Sequence, residues 1–148
     1  MNLCNGLKSD GTPFTRAENV AAERHAAEGP KIIDAIDLVD SLEDIPLRTR
    51  VTKANNLHRE KDNCIYVSVH ANAFGNGRDF NSAKGVCTFH HYRSSNGQRL
   101  AESLQKWLAD LTDFRDRGVR SNDSWANFYV LRKTNMPAVL SENGFMTN

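Results

Sequence analysis

Two ionisable side chains interrupt apolar runs in this chain, and each is of a type that carries proton or metal chemistry. His70 directly follows Ile65-Tyr66-Val67-Ser68-Val69 and is followed by Ala71-Asn72-Ala73. Glu142 directly follows Ala138-Val139-Leu140-Ser141 and leads into Asn143-Gly144-Phe145. Short β-branched apolar runs read as buried strands, and in open α/β sheets ligands gather at the carboxyl ends of the strands. Both side chains are therefore expected at the same end of one sheet, facing a common cleft. They lie 72 positions apart (142 − 70), so only the fold can bring them together. Taken singly, each also has a plain reading. A histidine at a strand end is commonly a hydrogen-bonded structural residue, and a glutamate there can cap a helix or pair with an arginine.

The other candidates read more plainly still. His58 lies in the polar stretch Leu57-His58-Arg59-Glu60-Lys61 and is expected in a solvated turn. His25, inside Ala22-Glu23-Arg24-His25-Ala26-Ala27, reads as a helix-surface residue. His90 and His91 end a strand on opposite faces, so at most one of them faces the cleft. Asp113–Arg120 reads as a solvated charged loop, with Trp125 packing beneath it. Cys4, Cys64 and Cys87 contain no C-x-x-C pair, which argues against both a disulfide framework and a thiolate zinc site. Free thiols fit folding in a reducing cytosol.

The elements that must position His70 and Glu142 are strands separated by helices. A helix is expected from about Ala17 to Glu28, stopped by Gly29-Pro30, while 31–40 is ambiguous between strand and helix. Asp44 is placed to cap a second helix with Pro46 in its first turn and Leu47, Val51 and Ala54 on one face. Strands are expected over 64–69 and 85–91, with a glycine- and asparagine-rich loop between them. Ser95 and Gln98 have capping-box spacing ahead of a helix with Leu100, Leu104, Trp107, Leu108 and Leu111 along one side. Residues 113–125 read as loop, and Asn127–Leu131 and Ala138–Ser141 as closing strands. The pattern is an α/β fold, a single layered domain over residues 1–148 with a mixed, mostly parallel sheet flanked by helices.

Composition narrows the partners. With 148 residues, of which 39% are hydrophobic, the chain can build one core, and no apolar run approaches a membrane span. Nineteen basic against 18 acidic residues give no electrostatic reason to expect nucleic acid or an anionic membrane. A neutral glycan or peptide substrate and a monomeric state are expected. Met1–Leu7 has neither the basic nor the apolar region of a signal peptide.

Four ordered blocks resemble one family. Ser68-Val69-His70-Ala71-Asn72-Ala73 is similar to the S-[IV]-H-x-N-A segment of the zinc-dependent N-acetylmuramoyl-L-alanine amidases, which include phage lysins and sporulation amidases. Leu47-x-x-Arg50-x-x-x-Ala54-Asn55 resembles that family's upstream helix. Asn127-Phe128-Tyr129-Val130-Leu131 and Thr134-x-Met136-Pro137-Ala138-Val139-Leu140-x-Glu142-x-Gly144-Phe145 resemble its closing signature. The resemblance implies a peptidoglycan (muropeptide) hydrolase in which two histidines and a glutamate hold Zn²⁺. It implies that His70 is the second histidine ligand and that Glu142 is the catalytic glutamate. It puts the glutamate ligand at Glu18, with Glu23 and Glu28 as alternatives. The family's G-H-G turn with the first histidine, and its final helix, have no counterpart here, so truncation at both ends is expected, with weak zinc binding. A phage lysin or part of an exported protein fits the missing signal. The rival is an amidase-like fragment without catalysis, serving as a wall-binding or structural module. A zinc carboxypeptidase using Arg120 or Arg132 is disfavoured by the E-x-G-F block.

Overall fold

The computed structural model describes residues 35–39, 42–77, 79–122 and 126–148. The helix expected over 17–28, with Glu18, Glu23, His25 and Glu28, lies outside them, as does Trp125. The chain divides into two compact units, Met1–Arg50 and Val51–Asn148.

In the first unit the Pro46 carbonyl accepts the N–H groups of Thr49 and Arg50, at 2.9 and 3.2 Å, opening helix α1 (Leu47–Glu60). Arg50 folds back along the approach. Its Nε donates to the Ile45 carbonyl at 2.7 Å and its guanidinium pairs with Asp44 at 2.9 Å. Asp44, expected as the cap, is thus engaged by Arg50. Leu47 is exposed, whereas Val51 and Ala54, which belong to the second unit, are buried.

In the second unit four strands form one sheet: β1 (Tyr66–Asn72), β2 (Val86–His91), β3 (Asp116–Asn122) and β4 (Ala138–Phe145). Their order is β1-β4-β2-β3. The β1/β4 and β2/β3 pairs are parallel, and β4/β2 is antiparallel. With helices α2 (Ser95–Leu111) and α3 (Tyr129–Lys133), this is the mixed, helix-flanked sheet expected from the pattern.

Several local readings are corrected. The loop expected over 113–125 contains β3, whose sequence DRGVRSN hides a strand because it sits at the sheet edge. Charged side chains at an edge blunt unwanted pairing and carry no apolar alternation. The β-branched and aromatic content of residues 127–131 predicts a strand. Instead Phe128 stacks edge-on against Phe89, with centroids 5.1 Å apart, and α3 follows with Val130 and Leu131 buried. The cap of α2 is Ser94, whose hydroxyl accepts the Gly97 N–H at 3.0 Å, and not Ser95.

The packing face of α2 also differs from the expected leucine stripe. Its buried residues are Gly97, Ala101 and Gln105, while Trp107 and Leu111 are exposed. Small residues bring the helix close to the sheet, and Gln105 fills a polar role there. Its Oε1 accepts from Thr88 Oγ1 at 2.9 Å and its Nε2 donates to the Val86 carbonyl at 3.1 Å. Thr88 is wholly buried, so without Gln105 its hydroxyl would be left unpaired.

Strand register sorts the side chains by face, because directly paired residues point the same way and alternate along each strand. Thr88 and Ser141 are partners and lie on the face that α2 covers. His70, Glu142, Cys87, Leu140 and Phe89 share the opposite face.

Candidate active site

His70 and Glu142 are direct partners in the parallel β1/β4 register. Neighbouring strands run ~4.8 Å apart, so the two side chains rise side by side from one sheet face. Both stand inside their strands, where the sequence had suggested positions just beyond them: β1 continues to Asn72 and β4 to Phe145. Local bonds carry the pairing past them. Asn143 Nδ2 donates to the His70 carbonyl at 3.1 Å and to Ser141 Oγ at 3.0 Å, and the Met146 N–H donates to the Asn72 carbonyl at 2.7 Å.

The register shifts immediately after this pair, so that Asn72 faces Phe145. Gly144 makes the shift with φ +84°, a left-handed conformation that L side chains rarely adopt, and the Phe114 ring lies 3.5 Å from where its Cβ would stand. Gly144→Ala is therefore expected to cost about 1–2 kcal/mol in backbone strain, lowering the melting temperature by a few degrees. Thermal unfolding of the purified variant, followed by circular dichroism, checks this.

Glu142 is held in an unusual state. Its Oε2 is buried and has no hydrogen-bond partner among the described residues, and burial pushes its pKa up from 4.5 to about 7. Across the antiparallel pair it faces Cys87, which is 2% exposed. Burial pushes the Cys87 thiol up, with Arg120 opposing that rise, so at neutral pH it is a protonated, weakly polar wall beside the carboxyl. A carboxyl that exchanges its proton near neutrality is suited to general acid–base work. His70 is oriented from its own strand, with Ser68 Oγ 2.9 Å from Nε2.

The His70 imidazole is a donor that zinc accepts, and the Glu142 carboxyl beside it is of the type that accepts a proton from a bound water. Among the described residues, however, no group of three or more His, Cys, Asp or Glu is arranged to hold a metal. The described residues thus fit part of a zinc site; Glu18 and its alternatives lie outside them.

The remaining candidates fall elsewhere. His58 belongs to the last turn of α1 and not to a solvated turn; it is half-buried, with Nδ1 lacking a partner among the described residues. His90 and His91 end β2, which runs against β4, so they stand at the far end of the sheet from Glu142. Neither faces the cleft. His91 and Arg132 instead line a cavity of about 230 Å³ beside Ala138, at that far end. No local pattern marks Cys87 as a neighbour of Glu142; alternation along Val86–His91 puts it on the Phe89 face, but only the β2/β4 register puts it beside the carboxyl.

A family described as N-acetylmuramoyl-L-alanine amidase matches residues 31–148. The chain is 38% identical to N-acetylmuramoyl-L-alanine amidase LytC of Bacillus subtilis over 104 residues, covering 69% of this chain and 18% of LytC. It is 32% identical to the uncharacterized protein YqiI of Bacillus subtilis over 139 residues, covering 91% of this chain and 61% of YqiI. The chain thus spans less than two thirds of either relative. The crystal structure of N-acetylmuramoyl-L-alanine amidase from Clostridium difficile 630 superposes with a TM-score of 0.71 at 28% identity, over 97% of this chain and 74% of that one.

Proposed function

Because this chain belongs to the N-acetylmuramoyl-L-alanine amidase family, we propose that it hydrolyses the amide between N-acetylmuramic acid and L-alanine in peptidoglycan, acting as a monomer with zinc as cofactor. The observation that carries this reading is the buried, unpartnered Oε2 of Glu142, in register with His70. A carboxyl held so is costly to the fold and is explained by a reacting partner that comes with the substrate.

In this reading His70 is a zinc ligand, oriented by Ser68; the glutamate ligand that the resemblance assigns to Glu18, with Glu23 and Glu28 as alternatives, lies outside the described residues. When bound, zinc lowers the pKa of a coordinated water from ~15.7 toward ~7 and polarises the scissile carbonyl. The chain's own part is to supply the proton acceptor and donor. Glu142, ionised, takes a proton from the attacking water on its exposed side and returns it to the departing L-alanine nitrogen. The Cys87 wall keeps bulk water from that carboxyl, which sustains the raised pKa and lets one residue serve in both directions.

The test is direct. Incubation of the zinc-supplemented protein with a soluble muropeptide is expected to release a peptide with a new amino-terminal L-alanine, detected by mass spectrometry. Cleavage from the carboxyl end of the stem would instead indicate a carboxypeptidase, and cleavage only of sugar linkages would overturn the assignment.

A further inference from the structure

Arg120 of β3 stands in register with Phe89 of β2, and Phe89 with Leu140 of β4, so Arg120 shares the face that carries Cys87 and Glu142. Its Nε is buried and has no hydrogen-bond partner among the described residues. Its strand neighbour Arg117 is already engaged: the guanidinium lies 5.1 Å over the Phe145 ring, and NH1 donates to the Lys84 carbonyl at 3.3 Å. Both arginines act electrostatically on the Cys87 thiol, Arg120 the more strongly, which places the Arg120 charge toward the row occupied by Cys87 and Glu142. The cleft therefore has a carboxyl on one side of β2 and a guanidinium with an unused buried donor on the other.

The separation between them sets what they can share. β3 and β4 are two strand spacings apart and Arg120 stands two residues along from the Cys87–Glu142 row, so its backbone lies ~12 Å from that of Glu142, a gap that the arginine side chain shortens. A residue of extended peptide spans ~3.5 Å. A ligand whose reacting bond lies at Glu142 would thus bring a group one residue farther along to Arg120. An anion entering beside Glu142 meets like charge and needs a compensating cation. The arginine fork suits a carboxylate, which it binds through parallel charge-assisted hydrogen bonds.

We propose that Arg120 is a specificity-determining residue that binds a carboxylate on the peptide side of the substrate, one residue beyond the scissile amide. This rests on the amidase reading for the identity of the scissile bond. It sets a preference for stems whose second residue carries a free α-carboxylate over stems in which that group is a neutral carboxamide.

Two muramoyl peptides that differ only in that group, isoglutamate against isoglutamine, test the proposal. With the unaltered protein the carboxylate form is expected to show a KM lower by about 10- to 100-fold, as expected for loss of a charge-assisted hydrogen bond. In Arg120→Gln the KM for that form should rise by a similar factor, with kcat within a few-fold and the preference gone. Arg120→Lys should recover part of it, since it keeps the charge without the fork. Calorimetric binding of both ligands to Glu142→Gln protein, with and without Arg120→Gln, reads the same preference without turnover. No preference in the unaltered protein, no binding of either ligand, or a preference that survives Arg120→Gln would each overturn the proposal. Hydrolysis indifferent to the carboxylate would sink Arg120's role and leave the amidase standing. A carboxylate-selective binding lost in Arg120→Gln, without hydrolysis, would do the reverse.

Discussion

Glu142→Gln is expected to lower muropeptide amide hydrolysis by ~100-fold or more while zinc content stays unchanged. Glutamine keeps the shape and reach of the side chain but accepts no proton at neutral pH. If Glu142 ligated the metal, the same change would release zinc along with activity. The pH dependence sharpens the distinction. The working form of a general base is the ionised one, and the Glu142 pKa is about 7. The kcat/KM of the unaltered protein should therefore level off above pH ~7 and fall about tenfold per unit below it. Stability runs in the opposite sense. Because the folded pKa is raised above 4.5, the folded state binds more protons than the unfolded one between pH 4.5 and about 7, and stability falls as pH rises through that window. Glu142→Gln carries no such charge, so its melting temperature should exceed that of the unaltered protein at pH 8 and approach it at pH 4.5. A lower melting temperature at pH 8 together with nearly full activity would assign Glu142 a structural role instead.

If zinc binds as proposed, His70→Ala is expected to remove that affinity and hydrolysis with it. A metal site with few protein ligands cannot lose an imidazole and keep its ion, because each ligand contributes directly to binding. Chelator competition should record a fall of more than ~100-fold, beyond the 10- to 100-fold that loss of an orienting partner costs. Ser68→Ala supplies that comparison, since it removes the hydroxyl beside His70 Nε2 and leaves the imidazole. Equal zinc affinity in His70→Ala and the unaltered protein would show that His70 is no ligand.

His70 and Glu142 were legible in the sequence because each breaks an apolar run, and a break of that kind survives without knowledge of the fold. β2 and the first half of β4 were legible for the same reason, being mostly apolar or β-branched and buried on both faces. β1 was legible from its β-branched run but is not the buried strand expected, since Val67 and Val69 are exposed at the outer edge of the described sheet. β3 was not legible, because an edge strand has little to bury and its arginines read as solvent-facing. The segment around Tyr129 failed differently. Its composition favours a strand, but Phe128 docks on Phe89 and Thr134 closes a turn onto the Val130 carbonyl, so tertiary contact overrides propensity. For α2 the leucines drew attention, whereas the face that meets the sheet is Gly97, Ala101 and Gln105, chosen by closeness of approach. The surroundings of Glu142 were the least legible. Cys87 and Arg120 become its companions only through pairing registers that no local pattern encodes.

The pairing of His70 with Glu142 also bears on when during folding the site comes into being. The parallel β1/β4 ladder joins residues 72 apart (142 − 70), whereas β2 and α2 follow one another along the chain and meet through contacts 17 to 19 residues apart. Contacts of long sequence separation pay their loop-closure entropy before they return any stabilisation, and they form slowly. The β2–α2 hairpin-like unit can therefore consolidate while β1 and β4 are still unpaired, and a chain at that stage has helix, strand and buried surface but no juxtaposed imidazole and carboxyl. On the proposed function, hydrolysis would thus depend on the β1/β4 ladder, the contact of longest sequence separation in the described sheet, and an incompletely folded molecule would be inert.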